Sequence, residues 1–338
     1  MNKSLYIVAF SLAFATTGIA QNNEGQDKTV DLGTQTTTEL RKTQAVSTIY
    51  SDELDKNATT SPYNAIYGLL PGLTVMQNTS WGTDKSRLNV RGRGSLNGDT
   101  PLFVVDGFAR PIEYINLSEI ESISVLKDGA ASAIYGTRGS NGVILINLKK
   151  GTKDGQVHTT YSTSVTFNKA KKELDIMNAE EYRAYRTVSN PLSDMGADSD
   201  WFDAVTQLGV THMHTLTFSG GNARTNYRVT ADYRNARGID LRSDRREYGA
   251  RANINHTTKD GLFTFSANIT PRVIDRNKSA NVYSNAIKNN PTMPIYDSES
   301  ANGYYRFPSG TEGSNIVEQL NEEENGTEIK LLEWNATA

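Results

Sequence analysis

Residues 157–168, VHTTYSTSVTFN, carry Val157, Thr159, Tyr161, Thr163, Val165 and Phe167 on one side of an extended chain. His158, Thr160, Ser162, Ser164, Thr166 and Asn168 fall on the other. Side chains alternate faces along a strand, so this segment has one largely apolar and one wholly polar face. The same period of 2 continues downstream. Tyr227, Val229, Ala231 and Tyr233 oppose Asn226, Arg228, Thr230, Asp232 and Arg234. Tyr248, Ala250, Ala252 and Ile254 oppose Glu247, Gly249, Arg251 and Asn253, and Phe263, Phe265, Ala267 and Ile269 oppose Thr264, Ser266, Asn268 and Thr270. Residues 211–219 place His212, His214, Leu216 and Phe218 on their less polar side. Five strands are predicted. A soluble sandwich and a membrane barrel both alternate in this way, so the faces alone do not choose between them. The connections favour the barrel: short turns at residues 220–223 and 257–260 alternate with longer links at 169–209, at 235–246 and after 271.

Composition narrows the function. The chain has 35 Lys+Arg against 38 Asp+Glu and no dense basic run, which argues against nucleic acid as a partner. Zero cysteines exclude disulfides, thiolate metal sites and a cysteine nucleophile, and four histidines leave little for an imidazole cluster. His212 and His214 share a strand face but have no third ligand nearby, so no metal is expected. A mean hydropathy of -0.52 forbids a bundle of membrane helices but not a β-barrel, whose strands are apolar on one face only. The glycines at 92, 94 and 98 do not spell G-x-G-x-x-G, GAASAIYGTRG lacks a phosphate-loop Lys-Ser/Thr, and no serine elbow occurs. Neither a cofactor nor an enzymatic activity is expected.

At the start, Lys3, the apolar run 5–15 (LYIVAFSLAFA) and the small Gly18 and Ala20 read as a signal peptide over residues 1–20. Residues 21–42 are almost wholly polar and read as a flexible extension. From Thr43 to Lys150 short elements alternate, with strands at 45–50, 73–77, 88–91, 102–105, 119–126 and 143–148. Helices are predicted at 63–70, entered through Ser61-Pro62, and at 130–135. This is a compact α+β domain. Residues 297–338 hold nine acidic residues against Arg306 and Lys330 and read as solvated surface.

Two stretches of the α+β domain, NVRGRGSLNGDTPLFVVDG (89–107) and EIESISVLKDGAASAIYGTRGSNGVILINLKKG (119–151), closely resemble the plug domain of SusC/RagA-type TonB-dependent outer-membrane transporters. The motif positions are Arg91, Gly92, Arg93, Gly94, Asp106, Gly107, Lys127, Asp128, Gly129, Ala130, Tyr135, Gly136, Arg138, Gly139, Asn141 and Gly142. The resemblance implies a 22-stranded barrel with the plug, residues 43–150, in its lumen and barrel strands over 151–338. It also implies energy from TonB with ExbB and ExbD on the periplasmic side, and a SusD-like lipoprotein outside. The ligand would be an oligosaccharide or a peptide, and the bathing medium outer-membrane lipid of a Gram-negative cell. Small residues at Gly129, Ala130, Ala131 and Ala133 would let a helix lie close to a sheet, and Gly136, Gly139 and Gly142 would permit a sharp return. Arg91, Arg93 and Arg138 are expected to pair with carboxylates of the barrel wall.

The TonB-contact segment of the family is represented by KTVDLGTQ (28–35), that is Thr29, Val30, Asp31, Leu32, Gly33, Thr34 and Gln35, which suits the position better than the sequence pattern. Residues 21–42 are too few for the immunoglobulin-like domain that many relatives carry before the plug. A barrel of 22 strands at about 10 residues each, with its loops, needs more chain than residues 151–338 supply. The terminal LLEWNATA also lacks the final aromatic of such barrels, so an N-terminal portion of a longer chain is expected. The expected function is active import of a nutrient. The alternative is an outer-membrane receptor or adhesin that binds without transport.

Overall fold

The computed structural model describes residues 29–31, 36–38, 45–54, 59, 61–76, 86–92, 100–129, 133–171, 175–186, 194–278, 283–311, 313–322 and 325–337. The expected signal peptide lies outside them. β1 (Thr29–Asp31) and β2 (Thr36–Thr38) pair antiparallel, so a short ladder stands within the stretch read as a flexible extension.

Next come β3 (Val46–Tyr50), β4 (Leu73–Met76), β5 (Arg87–Val90), β6 (Leu102–Val105), β7 (Phe108–Ala109), β8 (Ile120–Leu126) and β9 (Val143–Leu148). β3, β8, β9, β6 and β7 make one sheet in that order, with β6 and β9 parallel and the other pairs antiparallel. β9, VILINL, is the reason the sheet is buried on both faces. Ile144, Ile146 and Leu148 enter the main core with Ile49, Ile66, Val105, Ile112 and Ile123, while Val143 and Leu145 join Val46, Val104 and Leu126 behind it. The first predicted helix is reduced to Pro62–Ala65, and Ser61 caps it through its backbone carbonyl rather than its hydroxyl. Of the second, at 130–135, residues 130–132 lie outside the described residues, and the remainder opens a 3₁₀ segment, Ala133–Gly139, broken at Gly136.

β10 (His158–Asn168), β11 (Gly209–Gly221), β12 (Thr225–Arg237), β13 (Asp244–Thr257), β14 (Thr264–Asn277) and β15 (Gly326–Thr337) form an antiparallel sheet in which every strand pairs with the next in sequence. The polarity of this sheet is inverted. Val229 is 42% exposed and Thr230 1%; Tyr161, Phe218, Ile254, Phe265, Ile269 and Trp334 face outward, while Thr217, Arg251 and Asn253 are buried. A sandwich would bury the apolar face. This sheet is the wall of an antiparallel transmembrane β-barrel, unclosed between β10 and β15 among the described residues.

Two sequence-based expectations change. Six strands are present rather than five, because β15 breaks the alternation: Glu328 and Lys330, 2.9 Å apart, point outward where the apolar band has ended, and Ile329 stands opposite the buried Ile274. The link expected at 235–246 is the short turn 238–243, since β12 and β13 pair up to Arg237 and Asp244. The described parts of the truly long links, 169–208 and 278–325, fold together around Trp201, Val205, Ala286, Met293, Ile316, Val317 and Leu320. Part of the acidic segment read as solvated surface therefore supplies a small core.

Candidate functional site: the contact between plug and wall

Chain direction places a carboxylate at the point where the plug meets the wall. Asn116 caps a one-turn 3₁₀ helix, Leu117–Glu119, by accepting from the Ser118 N–H at 3.0 Å, and the turn ends in Glu119 at the mouth of β8. Glu119 is only 3% exposed. Arg228 of β12 grips it in a fork, donating from Nη2 to Oε1 at 2.8 Å and from Nε to Oε1 and Oε2 at 3.1 and 3.2 Å. Thr230 adds a 2.9 Å bond from its hydroxyl, and Arg251 of β13 donates from Nη1 to Oε2 at 2.9 Å. Arg251 also reaches the Lys149 carbonyl at 2.9 Å and Asn268 Oδ1 at 3.0 Å, and stands 3.7 Å from Asp106. Burial alone would raise the Glu119 carboxyl; the hydrogen bonds and charges of Arg228 and Arg251 outweigh it and hold the group below the usual carboxylate range.

Asp106 shows the opposite balance. β6 and β7 are joined by Asp106-Gly107 with φ of 47° and 87°, the two left-handed residues of a type I′ turn that the Asp-Gly pair announces in the sequence. Its carboxylate accepts from the Leu148 N–H at 3.0 Å, but burial prevails over that bond and over Arg251, and its pKa is raised.

Two further contacts widen the seam: Arg110 pairs with Glu333 of β15, and Asn116 Nδ2 approaches Thr215 of β11 at 3.5 Å. At the crossing from plug to wall, Gly151 lies so close to β12 that an added Cβ would collide with the Tyr227 carbonyl oxygen. Beyond Glu119, the inner wall carries a second charged network. Arg272 forks Asp232 at 3.0 Å through both Nη atoms and reaches Glu247 at 3.2 Å; Arg234 pairs with Glu247 at 2.6 Å, and Arg245 pairs with it too. Gly249 makes the crossing possible, because it stands between Asp232 and Arg272 in register and a Cβ there would be 2.5 Å from the guanidinium.

The residues singled out from sequence divide between seam, turns and surface. Thr29, Val30 and Asp31 form β1, whereas Leu32, Gly33, Thr34 and Gln35 lie outside the described residues, as do Arg93, Gly94 and Ala130. Arg91 and Gly92 take φ of 58° and 87° at an exposed turn after β5. Lys127 and Asp128 fasten the ends of β8 and β3, through Ser47 Oγ at 2.6 Å and the Ala45 N–H at 2.8 Å. Gly129 and Ala133 are exposed, and a Cβ on Gly129 would meet open space, so these two positions do not seat a helix on a sheet. Tyr135 packs on the rear core cluster, and Gly136 has φ 58°, ψ -146°. Gly139 is buried, and Asn141 and Gly142 lead into β9; a Cβ on Gly142 would stand 2.7 Å from that of Val90. Arg91 and Arg138 are exposed, and the described ion pairs between plug and wall run instead through Glu119, Asp106 and Arg110. Arg110 sets a plug arginine on a wall carboxylate, and Glu119 sets a plug carboxylate on wall arginines. Sequence reasoning passed over Glu119, Arg228 and Arg251. The available signal was a charge on the polar face of an alternating strand. Among the described residues no group of three or more His, Cys, Asp or Glu side chains is placed to hold a metal ion.

An α+β plug seated by polar contacts against an antiparallel wall whose outer face is apolar defines a class, and the comparisons agree with it. Residues 38–143 match the TonB-dependent Receptor Plug Domain. Over 315 residues the chain is 32% identical to the TonB-dependent receptor SusC of Bacteroides thetaiotaomicron, a match covering 86% of this chain and 30% of the relative. A TonB-dependent receptor of Formosa agariphila is 28% identical over 319 residues, covering 89% and 32%. Among solved structures, the RagAB peptide importer in its open-open state superposes with a TM-score of 0.66 at 24% identity, over 75% of this chain and 33% of that one. Its closed-closed state gives 0.67 at 22%, over 80% and 36%. The chain spans about a third of the length of the curated relatives it matches. It belongs to the TonB-dependent receptors of the SusC/RagA type.

Proposed function

We propose that the protein imports a nutrient of the oligosaccharide or peptide class across the outer membrane of a Gram-negative cell, exported there under a leader at residues 1–20. TonB, with ExbB and ExbD, supplies energy from the periplasm, and a SusD-like lipoprotein serves the outer side. The observation that carries this reading is the chemistry of the seam. Glu119, Asn116 and Arg110 meet Arg228, Thr230, Arg251, Thr215 and Glu333, all polar groups. When such a seam parts, water replaces each lost hydrogen bond; an apolar seam would instead bear the full cost of exposed surface. The main plug core around Ile123 and Ile144 is closed on itself, so displacement leaves it folded. The exposed apolar face of β10–β15 suits outer-membrane lipid.

TonB engages residues 29–35 in this reading, and no covalent bond is made or broken. The peptide branch draws support from the likeness to the RagAB peptide importer. Deleting residues 28–35 tests the proposal: ligand still binds the cell surface while growth on it fails. Undiminished growth would favour a receptor or adhesin that binds without transport.

A further inference from the structure

Arg251 of β13 meets two plug carboxylates at unequal range. Its Nη1 donates to Glu119 Oε2 and to the Lys149 carbonyl, both at 2.9 Å, while its Nη2 donates to Asn268 Oδ1 at 3.0 Å. The same Nη2 stands 3.7 Å from Asp106 Oδ2, just outside hydrogen-bond range. Glu119 and Asp106 are fixed to one point of the plug. The Lys149 N–H donates to the Glu119 carbonyl at 2.7 Å, the adjacent Leu148 N–H donates to Asp106 Oδ1 at 3.0 Å, and Leu148 belongs to the closed main core. The two carboxylates therefore travel together when the plug moves. Arg251 stays with the wall, where Asn268 of β14 holds its Nη2.

Displacing the plug confronts Arg251 with a cost that Arg228 escapes. Arg228 is half-buried, so water can replace Glu119 as its fork opens. Arg251 is buried, and a buried guanidinium stripped of its carboxylate has no such replacement. Asp106 offers one: a relative slide of about 1 Å along the line from Arg251 to Asp106 brings that pair to hydrogen-bond length. We infer that Asp106 is a second berth for Arg251, taken up as Glu119 leaves, which eases displacement of the plug without strengthening its resting seat. Asp106 is then a positioning residue for transport, acting through Arg251. The inference rests on the import reading above and names the side chain that keeps the moving plug paired to the wall. The Asp106-Gly107 turn makes the test clean, because Asn-Gly suits the same type I′ turn and an amide oxygen can still accept from the Leu148 N–H. Only the charge is lost.

Single-molecule pulling tests it on the full-length receptor in lipid vesicles, gripped through a tag at the mature N-terminus so that neither TonB nor ligand is needed. At constant force, Asp106→Asn should displace the plug about tenfold more slowly than the native protein. Hydrogen exchange of β8 and β9 at rest should be unchanged in that variant. In an Arg251→Gln background, Asp106→Asn should have no further effect on the displacement rate. Displacement of Asp106→Asn at the native rate overturns the inference, as does a slowing that persists in Arg251→Gln. Loosened exchange at rest overturns it too, since Asp106 would then be an ordinary contact of the resting seam. The import reading fails separately: growth that survives deletion of residues 28–35 refutes energised import, while the pulling rates still decide the role of Asp106.

Discussion

Val125 in the plug and Val229 in the wall share one side chain and opposite surroundings, the first 0% and the second 42% exposed. Around Val125 the neighbours are Ile123, Ile144 and Ile146, all buried; around Val229 the buried positions are Thr217, Thr230 and Arg251. The plug hides apolar atoms from water, whereas the wall turns them toward lipid and keeps polar atoms for the plug. Alternation therefore locates a strand without saying which face is inside. The partner of the polar face decides that, and here the partner is Glu119.

Cutting the link between the two regions should have the largest effect. Glu119→Ala leaves the buried Arg251 and the half-buried Arg228 without their carboxylate, and removal of one member of a buried ion pair costs about 3–5 kcal/mol. Hydrogen exchange across β8 and β9 in the membrane-embedded protein should report that loss, and native protection would mean the seam holds by other contacts. The same bond predicts an acid response. A carboxyl whose folded pKa lies below its unfolded value contributes stability that is full above the unfolded pKa and is lost as pH falls through the folded one. Docking should thus persist through mildly acid solution and fail only below the ordinary carboxylate range. Asp106, with a raised pKa, protonates earlier and stops costing stability as it does, so Asp106→Asn should leave that lower limb in place. Failure already at mild acidity would contradict the assignment to Glu119.

Truncation sharpens the contrast. Ile144→Ala opens a cavity in a closed core and should cost about 2–5 kcal/mol of plug stability. Ile269→Ala on the lipid face should cost less, because lipid closes over the gap. Equal losses, measured by denaturant unfolding of each variant, would mean that the outward face is packed by protein.

Charge insertion comes next. Val229→Arg places a guanidinium on the lipid face and should cost about 2–4 kcal/mol if it lies near the midplane, read as a lowered unfolding midpoint in vesicles. Ser164→Arg, on the polar face of β10 where the residue is exposed, should cost far less. Thr230→Arg is not the mild control that polar alternation suggests, because its hydroxyl bonds Glu119 and no room remains.

Much of this architecture could be read from residue order, and the parts that could not share a cause. Asp106-Gly107 announced its turn, VILINL its two buried faces, and residues 157–168 their strand, because each depends on local geometry. Glu119 escaped notice because EIES reads like any exposed acid until Arg228, more than a hundred residues later, closes on it. β15 escaped because its outer end rises beyond the apolar band, where Glu328 and Lys330 replace the expected hydrophobic residues. The core of the long links was hidden because Trp201 and Ile316 meet only after the links fold together.

The smallest expected effect concerns backbone alone. Gly136 has φ 58° and ψ -146°, a region that is essentially restricted to glycine, yet a Cβ added there would touch nothing within 4 Å. Gly136→Val should therefore cost about 1–3 kcal/mol through strain, with no packing contribution. Gly142 makes the natural comparison, since it combines φ 90° with a Cβ only 2.7 Å from that of Val90. Gly142→Ala should consequently displace β5 as well as strain the turn into β9, and it should disturb exchange in both strands, whereas Gly136→Val should disturb only residues near the 3₁₀ segment. The two variants separate backbone freedom from close approach, which residue type alone does not distinguish. If Gly136→Val proves neutral, the segment relaxes into a conformation open to other residues; if its effect spreads to β5, Gly136 has a packing role that its open surroundings do not show.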